Sequence, residues 1–370
     1  MKKKHIVIDA RIRPASTGRP VTRLLEHLQE IDKEHRYTVL LKPDDDWKPK
    51  SKNFNTQSVR FPIFSFSPLS QILYSRQLYK LKADLVYFTL TPQQPVFYFG
   101  KQITFTHDLG MLKFARAGRL PEILHKIRMR GYRMLLWSAH RRATRVIVPT
   151  QYVADDVNKY HLFTNRKTEV FLEASEPPLP GKAKTPKSPP KEFIMYTGSA
   201  FPHKNLERLI SAFCLLREHH PSLKLVLVGK REYYSNKLEQ WSKKLDCHDA
   251  VIFTGFIPDS ELKWYYQHAR AYVFPSLNEG FGLPGLEAMV HECPVVSSDA
   301  TCLPEVHGKG ATYFDPHDIH EMARKIDELI SNESLRKKMI AKGLLNSKRF
   351  SWRKFSSQHL ELFKSLLRDQ

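Results

Sequence analysis

Glu279 and Glu287 bracket a turn rich in glycine and proline, EGFGLPGLE, with seven residues between them. An ionised carboxylate only accepts hydrogen bonds, and a vicinal diol offers two donors, so each acid suits a sugar or ribose diol. The turn follows the β-like run AYVF and precedes the helical run LEAMV. Pro284 stands where a helix's first position is expected, because proline there loses no needed N–H. Gly280 and Gly282 let backbone come close to a ligand. Amides near Phe281, Gly282 and Leu283 would then sit at a helix N-terminus, which favours phosphate. Phosphate flanked by two diol-binding acids describes a site for a nucleotide-diphospho-sugar. Lys204 fits the same chemistry. It follows the strand–glycine turn at Gly198 and Ser199 and precedes a helix start at Asn205. A fixed cation there would stabilise the charge that builds on a leaving diphosphate.

Other residues invite weaker readings. His107 and Asp108 follow the β-run QITF, and the aspartate suits a structural role in orienting that turn. The triplet Asp44–Asp45–Asp46 could suggest a metal, but it lies among lysines and prolines and reads as a charged loop. No obligatory metal and no cofactor are expected. There is no GxxxxGK[ST], no GxGxxG after the first strand, no HExxH and no GxSxG. A P-loop NTPase and a nicotinamide dehydrogenase are therefore disfavoured.

The elements that must carry these residues alternate. HIVIDA, YTVLL, DLVYF, QITF and RVIVP are short β-runs in the first half, with helical stretches at Thr22–Ile31 and Glu122–His140. FIMYTG, LKLVLVG, AVIFTG, AYVFP, CPVVSS and ATYF follow in the second, with helices at Leu206–His219 and Glu261–Ala269. Such alternation predicts parallel sheets covered by helices. The stretch 176–190, EPPLPGKAKTPKSPP, has six prolines in fifteen residues and reads as a linker. At 370 residues the chain exceeds one ordinary core, so two domains are expected.

The net charge is +21, of which +15 lies in residues 1–180. Such a field attracts phosphorylated ligands, anionic lipid or nucleic acid. Residues 113–145 hold Lys113, Arg116, Arg119, Lys126, Arg128, Arg130, Arg133, Arg141, Arg142 and Arg145 against Glu122 alone, with apolar residues interleaved. An ordinary solvated helix face and attachment to an anionic membrane surface are both compatible with that pattern. No apolar run reaches the ~18–20 residues needed to cross a bilayer. The opening run HIVIDA reads as a first strand rather than a signal-peptide core. Four cysteines without a CxxC pair predict neither a disulfide framework nor a zinc knuckle, and a reducing cytosol.

The segment Glu279–Glu287 resembles the E-x7-E motif of glycosyltransferase family 4, the retaining enzymes of GT-B fold. IDAR, FTHDL, VIVPTQYVADDV, YTGSAFPHKNLERLI, LPEV and YFDPHD resemble other family segments in the same order. The resemblance implies two Rossmann-like α/β domains facing across a cleft. Residues 1–175 would bind the acceptor, 176–191 would link, 192–350 would bind the nucleotide-sugar, and a helix in 351–370 would cross back to the first domain. It implies that Glu279 holds the transferred sugar and Glu287 the ribose diol. Phe281, Gly282 and Leu283 would offer backbone contacts, Gly198 and Ser199 would line the donor side, and Lys204 would neutralise the diphosphate. His107 would lie at the reaction centre, with Gly18 and Asp108 on the acceptor or phosphate side.

Two departures stand out. Ser199 replaces the usual arginine, which leaves a second cation to His203, Lys230 or Arg231, and the N-terminal glycine-rich loop keeps one glycine, Gly18. The implied reaction moves a hexosyl group to a glycan or lipid-linked hydroxyl, in polysaccharide or glycolipid assembly on the cytosolic side. PHKNLERLI looks like the corresponding segment of bacterial mannosyltransferases, which points towards GDP-mannose. Two other readings remain: a basic nucleic-acid-binding protein, and a nucleotide-sugar binder of the same fold without activity.

Overall fold

In the computed structural model, residues 3–114, 121–176 and 178–368 are described. Arg116 and Arg119 of the basic stretch, and Pro177, lie outside them. The chain divides into two units, one of residues 1–173 with 351–370 and one of residues 174–350.

The first unit is built on a seven-stranded parallel sheet in the order β3-β2-β1-β4-β5-β6-β7. Its strands are β1 (His5–Asp9), β2 (Arg36–Leu41), β3 (Phe54–Ser58), β4 (Leu85–Phe88), β5 (Gln102–Phe105), β6 (Arg145–Val148) and β7 (Thr168–Val170). Helices α1 (Arg19–Ile31), α2 (Pro68–Lys80), α3 (Gly110–Lys113), α4 (Glu122–Arg142) and α5 (Gln151–Tyr160) connect them. β1 and β4 are buried along their whole length, as strands covered on both faces must be.

The second unit holds a six-stranded parallel sheet in the order β10-β9-β8-β11-β12-β13. Its strands are β8 (Phe193–Thr197), β9 (Lys224–Val228), β10 (Val251–Gly255), β11 (Ala271–Phe274), β12 (Val295–Ser298) and β13 (Ala311–Phe314). Its helices are α6 (Leu206–Leu216), α7 (Tyr233–Ser242), α8 (Asp259–His268), α9 (Leu283–Val290), α10 (Leu303–His307), α11 (Ile319–Ser331) and α12 (Glu333–Ser347). α6 buries Leu206, Leu209, Ile210 and Phe213, the face that its apolar spacing predicts.

The last helix, α13 (Trp352–Arg368), belongs to the first unit. His359 is fully buried there. Its Nδ1–H donates to the Phe355 carbonyl at 2.8 Å, which leaves Nε2 to accept from the Tyr87 hydroxyl at 3.0 Å. Lys101 Nζ donates to the Leu366 carbonyl.

The proline-rich segment forms no regular element, yet it is fastened to the second unit. Lys263 Nζ donates to the carbonyls of Leu179 and Gly181, and Lys184 N–H donates to the Ser260 carbonyl. Leu179 N–H donates to His291 Nε2 at 2.9 Å.

The cysteines form no framework, but they are not all free. Cys214 and Cys247 are joined as a disulfide, with Cα atoms 5.3 Å apart. They stand 33 residues apart in sequence, so no short spacing announces them. The fold returns the chain through β9 and α7 and places the second cysteine beside α6.

Four histidines are buried uncharged. Burial pushes His140 and His359 down to about 3, and His291 and His307 down to about 4, from an ordinary 6.5. The unfolded chain therefore binds more protons than the folded one once pH falls below 6.5, and folding stability must decline through that window. For His307 the full traverse costs roughly 3 kcal/mol. Urea midpoints measured between pH 7 and 5, above the carboxylate range, should fall steadily. A flat profile there would contradict the burial of these rings as neutral imidazoles.

Candidate functional site

The residues expected on the donor side lie in the second unit, in the turns after β8 and β11 and on α9. After β8, Gly198 takes φ 145°, a conformation that only glycine adopts readily. Ser199 follows, and its carbonyl accepts from the Tyr196 hydroxyl. The chain then makes a single 3₁₀ turn, Pro202–Lys204, closed by Asn205 in the left-handed conformation, φ 62°. Asparagine tolerates that region better than most residues.

This turn is stitched to the loop after β11. Asn205 Nδ2 donates to the Pro275 carbonyl at 3.0 Å and to the Pro316 carbonyl at 2.8 Å. Leu277 N–H donates to the His203 carbonyl. The outcome is a close ion pair, Lys204 Nζ to Glu279 Oε1 at 2.6 Å, with both side chains mostly buried. Two residues 75 positions apart, both expected at one site, therefore meet.

The glutamate's own backbone is held as well. Glu279 N–H donates to Thr301 Oγ1 at 3.2 Å, and the Cys302 thiol donates to the Glu279 carbonyl. Gly282, at φ 101°, caps α9. Pro284 occupies the second helical position, one later than the sequence suggests, and still loses no needed N–H. Phe281 is buried against Phe350. Glu287 lies on α9, with the Tyr266 hydroxyl donating to Oε2 at 3.4 Å. His291, one turn further on, donates from Nδ1 to the Glu287 carbonyl.

Sequence reasoning missed His307. This fully buried ring donates from Nε2 to the Gly282 carbonyl at 3.1 Å, and its Nδ1 lies 3.3 Å from Ser297 Oγ. It stands so close to α9 that a Cβ on Gly285 would meet Nε2 at 2.3 Å. No local pattern in LPEVH reveals this, because the partner is 25 residues upstream.

The three candidates for a second cation differ. His203 is buried. Arg231 pairs with Glu239 and donates to the Phe253 carbonyl. Lys230 is exposed, and it lines the same depression as Gly198, Gly229 and Gly255.

In the first unit, His107 lies just past β5. Its Nε2 donates to the Thr89 carbonyl at 3.0 Å, and its Nδ1 faces Glu173 Oε1 at 3.6 Å. The ring lines a largely apolar cavity of about 420 Å³ with Asp108, Thr17, Phe64, Phe66 and Arg128. Asp108 Oδ1 accepts from Gly110 N–H at 2.5 Å and so caps the start of α3, as a structural role requires. Gly18 caps α1, where a side chain would strike the Arg13 carbonyl. Asp45, from the acidic triplet, is enclosed and paired with Arg13, while Asp46 is fully exposed.

Residues 181–346 match the family described as Glycosyl transferases group 1. The O-antigen chain mannosyltransferase B of Escherichia coli is 35% identical over 175 residues, 47% of this chain and 46% of that protein. The O-antigen chain mannosyltransferase RfbU of Salmonella typhimurium is 31% identical over 188 residues, 50% of this chain and 51% of that protein. The matches thus cover about half the length of these two relatives, and 22% of the serotype-specific mannosyltransferase WbdA of Escherichia coli. The sucrose-phosphate synthase structure from Thermosynechococcus elongatus superposes with a TM-score of 0.77 at 18% identity and covers 100% of both chains. At that identity the likeness shows the fold, two parallel α/β units of GT-B type. The stretch that matches Glycosyl transferases group 1, residues 181–346, is the one that carries Lys204, Glu279, Gly282 and Glu287.

Proposed function

We propose that the chain is a retaining glycosyltransferase that moves a hexosyl group from a nucleotide-diphospho-sugar to a hydroxyl of a glycan or lipid-linked acceptor. The Lys204–Glu279 pair, held beside the glycine-capped start of α9, carries this reading. The diphosphate takes the α9 amides and Lys204, Glu279 accepts from the transferred sugar's hydroxyls, and Glu287 accepts from the ribose diol. Gly198 and Ser199 line the donor side, with Lys230 as the available second cation. As the glycosidic bond stretches, positive character develops on the sugar and negative charge on the diphosphate. Lys204 and the helix start stabilise the second of these. The departing diphosphate takes the acceptor's proton, so no separate protein base is required. His107, in the apolar cavity of the first unit, serves the acceptor side with Gly18 and Asp108.

GDP-mannose is the favoured donor, on the strength of the O-antigen mannosyltransferases that the chain resembles over about half its length. A polysaccharide or glycolipid made on the cytosolic side is the corresponding product. Lys204 and the α9 amides supply the positive field on the diphosphate, so the reaction needs no obligatory metal. The test is a thermal-shift panel of nucleotides and nucleotide-sugars, followed by donor hydrolysis with and without EDTA. GDP-mannose should stabilise the protein and be slowly hydrolysed at the same rate in chelator. A donor that stabilises but is never turned over would favour an inactive binder, the reading that Ser199 permits. Stabilisation by nucleic acid alone would remove the proposal. A rate abolished by EDTA would remove its metal-free part.

A further inference from the structure

The first unit exposes an unusual amount of apolar surface, and that surface is ordered along two helices. On α2 the outward positions Leu69, Ile72 and Leu73 are exposed, and Arg76 and Lys80 continue the same face. The opposite face, Gln71, Tyr74, Ser75 and Leu78, is buried against the unit. On α4 the positions Ile123, Ile127, Arg130, Met134, Trp137 and Arg141 fall on one stripe, spaced by three or four residues, and all are exposed. The buried stripe, His125, Met129, Tyr132 and Leu136, lies elsewhere on the helix. These helices therefore show water a second apolar stripe, distinct from the one that builds the core.

The two stripes belong to one face. Gly131 of α4 lies so close to Phe66, just before α2, that a Cβ there would meet its ring at 2.7 Å. At the other end the Arg142 guanidinium stacks 4.3 Å over the ring of Phe99. Phe99 N–H donates to the Tyr79 hydroxyl at the end of α2. Phe64, Phe66, Phe97 and Phe99 are exposed between the helices. Apolar residues gathered this way far exceed the scattered exposure of an ordinary surface.

Charge decides what covers it. α2 contains no acid, and α4 contains one, Glu122, which Lys126 neutralises at 2.6 Å. Arg76, Lys80, Lys82, Arg130, Arg133 and Arg141 remain exposed around the aromatic and aliphatic residues. A protein partner could match the apolar area. A second copy of this face would bring like charges together. An anionic bilayer satisfies both features, because tryptophan, phenylalanine and leucine enter the headgroup region while the basic side chains reach lipid phosphates. Among the described residues no helix is long and apolar enough to cross a membrane, so the contact is interfacial.

We infer that α2, the turn at residues 97–99 and α4 form one docking face that inserts apolar side chains into the surface of an anionic membrane. Phe64 and Phe66 line both this face and the cavity that holds His107. The acceptor side of the first unit therefore opens at the lipid surface. Insertion goes beyond electrostatic adsorption, since the apolar term survives salt that screens the charges. Each basic residue near the surface contributes up to about fivefold in affinity at low salt.

The inference rests on the proposed reaction only for the meaning of the cavity. Vesicle binding without nucleotide tests the surface alone, and its failure would leave the donor chemistry standing. The full chain should cosediment with phosphatidylglycerol-containing vesicles and not with pure phosphatidylcholine at low salt. Part of that binding should persist at about 0.5 M salt. Ile127→Asn with Trp137→Asn should weaken it at least tenfold at both salts. Arg130→Glu with Arg133→Glu should remove mainly the salt-sensitive part. Fluorescence quenching by brominated lipid should diminish in Trp137→Phe. Both double variants change exposed positions, so unaltered thermal midpoints and donor binding serve as controls. Absence of binding to anionic vesicles, or binding indifferent to the apolar pair, would overturn the inference. So would a concentration-dependent dimer that the apolar pair disperses, since the face would then belong to a second copy.

Discussion

Lys204→Ala should lower kcat for transfer by about 100-fold or more while the protein still folds. Lys204 stands 2.6 Å from Glu279 and is held there by a turn that Asn205 ties to the Pro275 and Pro316 carbonyls. Removing its charge does two things at once. In the proposed donor complex it withdraws the cation that would face the diphosphate, and it leaves Glu279 as an uncompensated negative charge beside that same group. The second effect should also cost stability, roughly 1–3 kcal/mol, because the pair is mostly buried. Glu279→Gln removes the repulsion and keeps the shape, but it loses a charged acceptor for sugar hydroxyls, so it too should be nearly inactive. The combination Lys204→Met with Glu279→Gln is the informative one. It should recover most of the stability lost in Lys204→Ala and none of the activity. Single-turnover kinetics and thermal melts of the three variants, side by side, check this. Near-normal turnover in either single variant would take the reaction centre away from this pair.

The ion pair also shows how far residue chemistry reaches. Glu279, Glu287, Lys204 and Gly282 were legible because each has a reason visible within a few residues: an acid beside a glycine turn, a lysine before a helix start, a proline just inside a helix. All six strands of the second sheet were legible because each is an apolar run of β-branched and aromatic residues, the half-buried edge β10 included. In the first sheet the two strands not foreseen are β3, FNTQS, and β7, TEV. Both are edges of that sheet and are polar or only partly buried, so the apolar run that signals a central strand is missing. α2 was missed because its apolar residues cover both faces, which hides a helical period. The Cys214–Cys247 bond and the His307–Gly282 contact depend on chain return over 33 and 25 residues, and sequence spacing carries no trace of either.

Gly282→Ala should cripple donor binding more than it harms the fold elsewhere. The residue takes φ 101°, where an alanine is strained by roughly 1–3 kcal/mol. A Cβ would also meet Leu303 Cδ2 at 2.7 Å. The strain can be relieved only by turning the loop, and the loop is pinned on both sides. Its carbonyl accepts from His307, and the preceding Glu279 is held by Thr301 and Cys302. Relief therefore swings the first amides of α9 away from where the proposed donor's diphosphate would sit. A displacement on the order of 1 Å at such a site costs about 100-fold in productive geometry. The donor KM should rise at least about tenfold and kcat should fall with it. The melting temperature of the second unit should drop by roughly 2–12 °C. His307→Gln isolates the cause. A glutamine amide can donate to the Gly282 carbonyl, so this variant should keep donor affinity within a few-fold, whereas His307→Ala should lose it as Gly282→Ala does. If His307→Ala binds GDP-mannose as tightly as the unmodified protein, the buried ring serves packing alone, and the start of α9 is positioned by Thr301 and Cys302 without it.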